Sequence, residues 1–256
     1  MNYRIKTFLF GLTIFFILGG AIAKAQQPAE VKNIVLVHGA YADGSSWSDV
    51  IVYLQQAGYK VISVQNPLTS LKDDVEATRR ILALQDGPTI LAGHSWAGTV
   101  ISEAGMDPKV VGLVYVAARA PDAGEDYAAL AKTFPAAPAT AGIVYAGGFG
   151  QLSESAFLND FANGVDPARA RALYAVQGRI ADTLFASKTT VAAWKTKPSF
   201  YAVSKNDRTT SPELERFLAK RMKATTIELE SGHLSLVSHA RDIADLIIKA
   251  AKSSGR

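Results

Sequence analysis

Six residues, Gly93-His94-Ser95-Trp96-Ala97-Gly98, constrain this chain more than any other stretch. An apolar run, Thr89 to Ala92, leads into them, and a helix-like stretch, Thr99 to Gly105, leads out. A serine among small residues, at the joint of a strand and a helix, reads as a nucleophile elbow. The turn is sharp, so the serine's backbone is strained and its near neighbours must be small. Gly93 supplies that room before the serine; Ala97 and Gly98 supply it after. The usual spacing is G-x-S-x-G. Here Ala97 takes the fifth position and Gly98 follows one step later, which leaves open how closely the helix packs on the strand. The competing reading is an ordinary strand–loop–helix joint with a chance serine.

The flanking sequence favours the elbow. Asn33 to Val37 is apolar without alternation, as a strand buried on both faces requires. It ends in the loop His38-Gly39-Ala40-Tyr41. Ser46 is placed to cap a helix reaching about Gln56, which Gly58 ends. Lys60 to Val64 reads as a second strand. Ser70 opens a helix to about Leu84, with Asp73 and Asp74 in its first turn. Asp86-Gly87-Pro88 turns into the elbow strand, and Val110 to Val116 follows as a fourth. Further on, Ser199 to Ser204, a helix from Pro212 to Arg221, Thr225 to Leu229 and a helix from about Asp242 to Ala251 resume the alternation. The pattern predicts an α/β fold: a doubly wound, mostly parallel sheet covered on both faces.

Between Pro121 and Pro198 the alternation lapses. Alanine, glycine and proline abound, and Phe134, Phe149, Phe157, Phe161, Tyr174 and Phe185 are scattered through the stretch. We read it as a helical cap inserted over the C-terminal edge of the sheet. A separate small domain is the alternative, but its glycine and proline content works against an independent core.

The N-terminus carries Arg4 and Lys6, an apolar run from Phe8 to Ile22, and Ala23-Lys24-Ala25. This reads as a secretory signal peptide over residues 1–25, cleaved after Ala25, with residues 26–256 as the mature domain. A retained membrane anchor is the rival, though the run is short for a spanning helix. Export to the periplasm or the medium follows. The net charge of +4 falls to +1 without Arg4, Lys6 and Lys24. A nearly neutral mature protein gives no reason to expect nucleic acid or a membrane surface as partner. There is no cysteine, so the fold rests on its core without disulfides.

A serine hydroxyl needs a base, and the base needs a group that fixes its tautomer. Such groups gather at the C-terminal ends of parallel strands. Three candidates obey that rule in order: Ser95 after the third strand, Asp207 after the fifth, and His233 after the sixth. Asp122, after the fourth strand, is the alternative acid. His38 is read as shaping its loop, His94 as packing or hydrogen bonding, and His239 as structural. The oxyanion would be met by the backbone N–H of Trp96 and of Ala40. Four scattered histidines and no cysteines offer no metal cluster, and no G-x-G-x-x-G opens a dinucleotide site.

With Val35-Leu36-Val37-His38-Gly39-Ala40, the elbow, Asp207 with Pro212-Glu213-Leu214 behind it, and Ser231-Gly232-His233 in this order, the chain resembles the α/β-hydrolase superfamily. Within it the likeness is to small bacterial hydrolases related to plant methylesterases and hydroxynitrile lyases. The resemblance implies a Ser-Asp-His triad carried by Ser95, Asp207 and His233, no cofactor, and about six strands. It implies a carboxylic-ester hydrolase (an esterase); with the insertion as a mostly apolar pocket wall carrying few charges, small or medium uncharged esters are expected. Two rivals stay open: a cyanohydrin lyase, which needs a lysine near the serine, and a small-molecule binding protein of the same fold.

Overall fold

The computed structural model describes residues 30–254 together with Met1. The signal-peptide reading of residues 1–25 lies outside these residues.

Six parallel strands form the main sheet: β1 (Asn33–Val37), β2 (Lys60–Val64), β3 (Thr89–His94), β4 (Val110–Val116) and, after the insertion, β8 (Ser199–Ser204) and β9 (Thr225–Leu229). Their order is β2-β1-β3-β4-β8-β9. β1, β3 and β8 are buried throughout, which matches their unbroken apolar runs; the edge strands β2 and β9 are half-exposed. From β1 the chain winds one way to β2, then crosses back to β3 on the other side. The switch therefore lies between β1 and β3, and a crevice opens there at the strands' C-terminal ends.

The helices follow from right-handed crossovers. α1 (Ser48–Gln56) packs with the last helix, α7 (Ala240–Ser254), on one face; α2 (Leu71–Ala83) packs with α3 (Ala97–Ala104) on the other. Ser70 caps α2 as its sequence predicts, its hydroxyl accepting from Asp73 N at 3.0 Å. The start of α1 differs from expectation. A tight turn, Gly44–Trp47, precedes the helix, and Asp43 rather than Ser46 caps that turn by accepting from Ser45 N at 2.8 Å. The Ser46 hydroxyl instead donates to the Asp43 carbonyl at 2.8 Å.

The inserted segment is not purely helical. It holds α4 (Tyr127–Ala131) and α5 (Pro167–Ala175), and also a three-stranded antiparallel sheet of β5 (Ile143–Ala146), β6 (Phe149–Leu152) and β7 (Ile180–Ala181). Gly147 and Gly148, at φ 59° and 78°, make the two-residue turn between β5 and β6. Two adjacent left-handed residues match the right-handed twist of the strands, which is why Gly-Gly serves there. The strands lack a buried-strand signature because β5 is largely solvent-exposed. The segment's apolar weight comes instead from Leu152, Phe157, Phe161 and Leu184, all buried. Behind the insertion, α6 (Pro212–Arg221) connects β8 to β9.

Candidate active site

Ser95 occupies the left-handed region at φ 55°, a strained backbone for a residue with a side chain. Hydrogen bonds on both sides hold it there: Ser95 N donates to Val116 O at 3.1 Å, and its carbonyl accepts from Gly98 N at 3.0 Å and Arg119 N at 3.1 Å. The neighbours have no space for side chains. A Cβ at Gly39 would sit 2.8 Å from Ser95 Cβ, one at Gly93 would sit 2.9 Å from Ala97 O, and one at Gly98 would sit 1.8 Å from Arg119 O. The closest approach thus falls at Gly98, one step beyond the usual fifth position. Ala97 is buried at the first turn of α3, so its methyl does not loosen the helix from the strand.

The structure brings Asp207, not Asp122, to His233. His233 Nδ1 lies 2.5 Å from Asp207 Oδ2, and both side chains are fully buried. A carboxylate oxygen accepts, so Nδ1 carries the proton and Nε2 is the basic nitrogen. Nε2 is buried and has no hydrogen-bond partner among the described residues, Ser95 included. Asp207 Oδ1 accepts from Thr209 N at 2.6 Å and Thr210 N at 2.8 Å, which fixes its loop. Asp122 is instead paired with Lys195 at 2.6 Å near the surface, and that ammonium holds its carboxyl below the usual range.

The two loops are tied together. Asn206 N donates to Ser231 O at 3.0 Å, and Ser231 Oγ donates to Ser204 Oγ at 3.1 Å. The insertion reaches in through Asn163, whose amide donates to Asn206 O at 2.8 Å and whose backbone leaves no room for a Cβ at Gly232. His94 lies beneath. Its Nε2–H donates to the His233 carbonyl at 3.0 Å, and the two rings sit 4.7 Å apart. Burial, with His233 beside it, keeps His94 far below the ordinary histidine range and therefore neutral. His38 donates from Nδ1 to Gly39 O at 2.9 Å and accepts from Asn66 N at 2.8 Å, so it shapes the loop after β1. The His239 ring hydrogen-bonds the Ser238 hydroxyl at 2.9 Å, at a half-buried position.

Two acids that sequence reasoning left unassigned support this arrangement. Glu215, on α6, is fully buried; its Oε2 accepts from Ser204 N at 2.9 Å. Burial, then the charge of Asp207, raises its pKa well above the usual range. Burial next to Asp207 thus favours its neutral form, and its Oε1 has no hydrogen-bond partner among the described residues. Asp74, on α2, accepts from the Trp96 indole at 2.8 Å and from Leu68 N at 2.8 Å. Spacing marks Asp74 only as a first-turn acid of α2 and gives Glu215 no role, because each acts across the fold. Among the described residues no group of three or more metal-ligating side chains is clustered.

A cavity of about 460 Å³ opens over Ser95. Ala40 and Tyr41 border it from the loop after β1; Phe134, Ile143, Leu152, Phe161 and Phe185 border it from the insertion. The turn bearing Phe161 is wide, with Ala162 N donating to Phe157 O at 2.7 Å, and it sets the Phe161 ring 5.2 Å from His233. Ala40 and Trp96 are buried beside Ser95, and neither backbone N–H has an acceptor among the described residues. Arg119 also borders the cavity, a residue that motif reading passed over.

A parallel sheet turned at a serine elbow, with an acid after its fifth strand and a histidine after its sixth, is the architecture of the α/β-hydrolases. The chain belongs to the Alpha/beta hydrolase family, whose profile it matches over residues 34–246. An alpha/beta hydrolase of Aspergillus novofumigatus, nvfD, is 24% identical over 241 residues, 85% of this chain and 96% of that one. A carbendazim-hydrolysing esterase of a Nocardioides species is 28% identical over 133 residues, 46% of this chain and 54% of that one. Among solved structures, polyneuridine aldehyde esterase superposes with a TM-score of 0.75 at 16% identity, covering 86% of this chain and 99% of that one. A methylesterase from Arabidopsis gives 0.70 at 17%, covering 86% and 99%. The pyrethroid hydrolase from Sphingobium faniae gives 0.70 at 21%, covering 87% and 98%. These likenesses establish the shared fold.

Proposed function

We propose that this protein is a carboxylic-ester hydrolase working through an acyl-enzyme on Ser95. The observation that carries the reading is the buried Asp207–His233 pair, with a free Nε2, packed on the residue before a strained serine. Nε2 takes the Ser95 proton as the oxygen attacks the ester carbonyl. In free enzymes such contacts are often loose and tighten when substrate arrives. Asp207 holds the Nδ1 proton and stabilises the imidazolium. The developing oxyanion accepts from the Ala40 and Trp96 amides, which are oriented in advance. His233 then protonates the leaving alcohol. Water, deprotonated by the same nitrogen, attacks the acyl group, and Ser95 leaves with its proton restored.

Relatives named as esterases and hydrolases support ester cleavage in this family. The cavity volume suits a small or medium ester. A cyanohydrin lyase would use a lysine near the serine. Lys132 borders the cavity, but at an exposed position on the rim. The test is turnover of p-nitrophenyl esters. Ser95→Ala should fold normally and lose activity by several orders of magnitude, roughly 10³-fold or more. Retained turnover with unchanged circular dichroism refutes the assignment, cyanide release from a cyanohydrin would favour the lyase, and ligand binding without turnover would favour a receptor.

A further inference from the structure

Arg119 stands at the end of β4 with its backbone locked against the elbow: its N–H donates to Ser95 O, and its carbonyl faces Gly98. Its guanidinium reaches over the cavity among aromatic faces. Cζ lies 4.2 Å from the centre of the Phe185 ring, 4.8 Å from Tyr127 and 5.3 Å from Trp96. Among the described residues no carboxylate, carbonyl or hydroxyl accepts from its side chain, and no Asp or Glu borders the cavity. Ring faces attract a cation but offer no acceptor for its five N–H donors. The residue is half-buried at the cavity wall, so its donors are left to whatever fills the cavity. Burial accordingly lowers its pKa, though an arginine stays protonated. Two further polar groups at the same wall, the hydroxyls of Tyr41 and Tyr127, are buried and unpartnered. A site with unused donors and no acidic group is complementary to an anion with planar acceptor oxygens.

We propose that Arg119 receives a carboxylate on the substrate, so that the ester cleaved at Ser95 carries a free carboxylate in its acyl or its alcohol part. This rests on the ester-hydrolase reading and narrows it. The expectation of an uncharged substrate rested on an apolar pocket wall formed by residues 121–198; Arg119 lies two positions before that segment. The apolar remainder of the cavity, including Ile143, Leu152 and Leu214, would receive the hydrocarbon between the two ends.

Two pairs of esters test the charge at each end. p-Nitrophenyl hemiglutarate is compared with p-nitrophenyl hexanoate, and 3-carboxy-4-nitrophenyl butyrate with p-nitrophenyl butyrate. In the wild type, one anionic ester should exceed its uncharged partner in kcat/KM by about tenfold or more, the effect of a charge-assisted hydrogen bond. Arg119→Met should abolish that ratio, and Arg119→Lys should restore only part of it, because a lysine lacks the planar fork. A ratio near one in the wild type, or one that survives Arg119→Met, overturns the proposal. Binding of monomethyl glutarate to Ser95→Ala by calorimetry supplies a readout without turnover. Affinity should fall by about tenfold or more when Arg119→Met is added. Should no ester be cleaved while this Arg119-dependent binding is present, the hydrolase reading fails and the carboxylate site stands. Equal affinity in both variants overturns the site.

Discussion

The Trp96 indole donates to the Asp74 carboxylate at 2.8 Å, joining α2 to the residue that follows Ser95. The other oxygen of that carboxylate accepts from Leu68 N, itself in the left-handed region at φ 59°. One buried acid thus anchors the side chain of the residue whose backbone N–H is proposed to meet the oxyanion. Burial raises the Asp74 pKa to about 6, against the hydrogen bonds that favour its charged form. The folded state therefore binds more protons than the unfolded state between about pH 4 and pH 6, and stability falls as pH rises through that window. The penalty is complete above about pH 6 and amounts to about 3 kcal/mol. Urea unfolding of wild type and Asp74→Asn checks this: the wild type should lose that amount relative to the variant between about pH 4 and pH 7. A constant difference would disprove it.

The Asp207–His233 contact separates two candidate acids. Asp207→Asn should cut ester turnover roughly 10³- to 10⁴-fold by leaving His233 in the wrong tautomer. Asp122→Asn removes a partly exposed ion pair with Lys195, worth about 0.5 kcal/mol, and should leave kcat within about twofold. The reverse ranking under matched conditions would show that Asp122 serves the histidine.

Glu215 accepts from Ser204 N, and burial with the charge of Asp207 favours its neutral form. Glu215→Gln retains one donor and one acceptor, and should keep kcat within a factor of about three. Glu215→Leu strands the Ser204 N–H, costing about 1–3 kcal/mol in stability and lowering kcat as the end of β8, which leads into the Asp207 loop, loses its anchor. A purely structural role would lower stability and leave kcat in the folded fraction unchanged.

Gly98 tests the elbow itself. A methyl there meets the Arg119 carbonyl at 1.8 Å, and backbone cannot swing aside as a side chain can. Gly98→Ala should destabilise by about 3 kcal/mol or more. Ala97→Gly, at the first turn of α3, should cost at most about 1 kcal/mol. Denaturant midpoints of the two variants decide whether position 97 or 98 bears the close approach.

The amino-acid sequence by itself determined the sheet. Unbroken runs such as Ile34-Val35-Leu36-Val37 bury both faces of a strand, and Ser70 with Asp73 and Asp74 starts a helix through bonds local in the chain. β1, β2, β4, β8 and β9 begin and end where their apolar patterning predicts. Small residues around Ser95 gave the elbow, because steric room is read from residue size alone. What only the tertiary structure decided acts between segments far apart in the chain. Asp207 rather than Asp122 meets His233 because β8 and β9 are neighbours and their end loops are bonded together. Glu215 and Asp74 become supports for the site only where folding removes water and sets one oxygen beside a particular donor. The hairpin of β5 and β6 has only four residues in each strand, and β5 is largely exposed, so no apolar run announced it; Gly147-Gly148 was its one local mark. Arg119 looks like any arginine in sequence. Its place among the rings of Trp96, Tyr127 and Phe185 exists only after segments 96, 119, 127 and 185 have been brought within a few ångströms of one another.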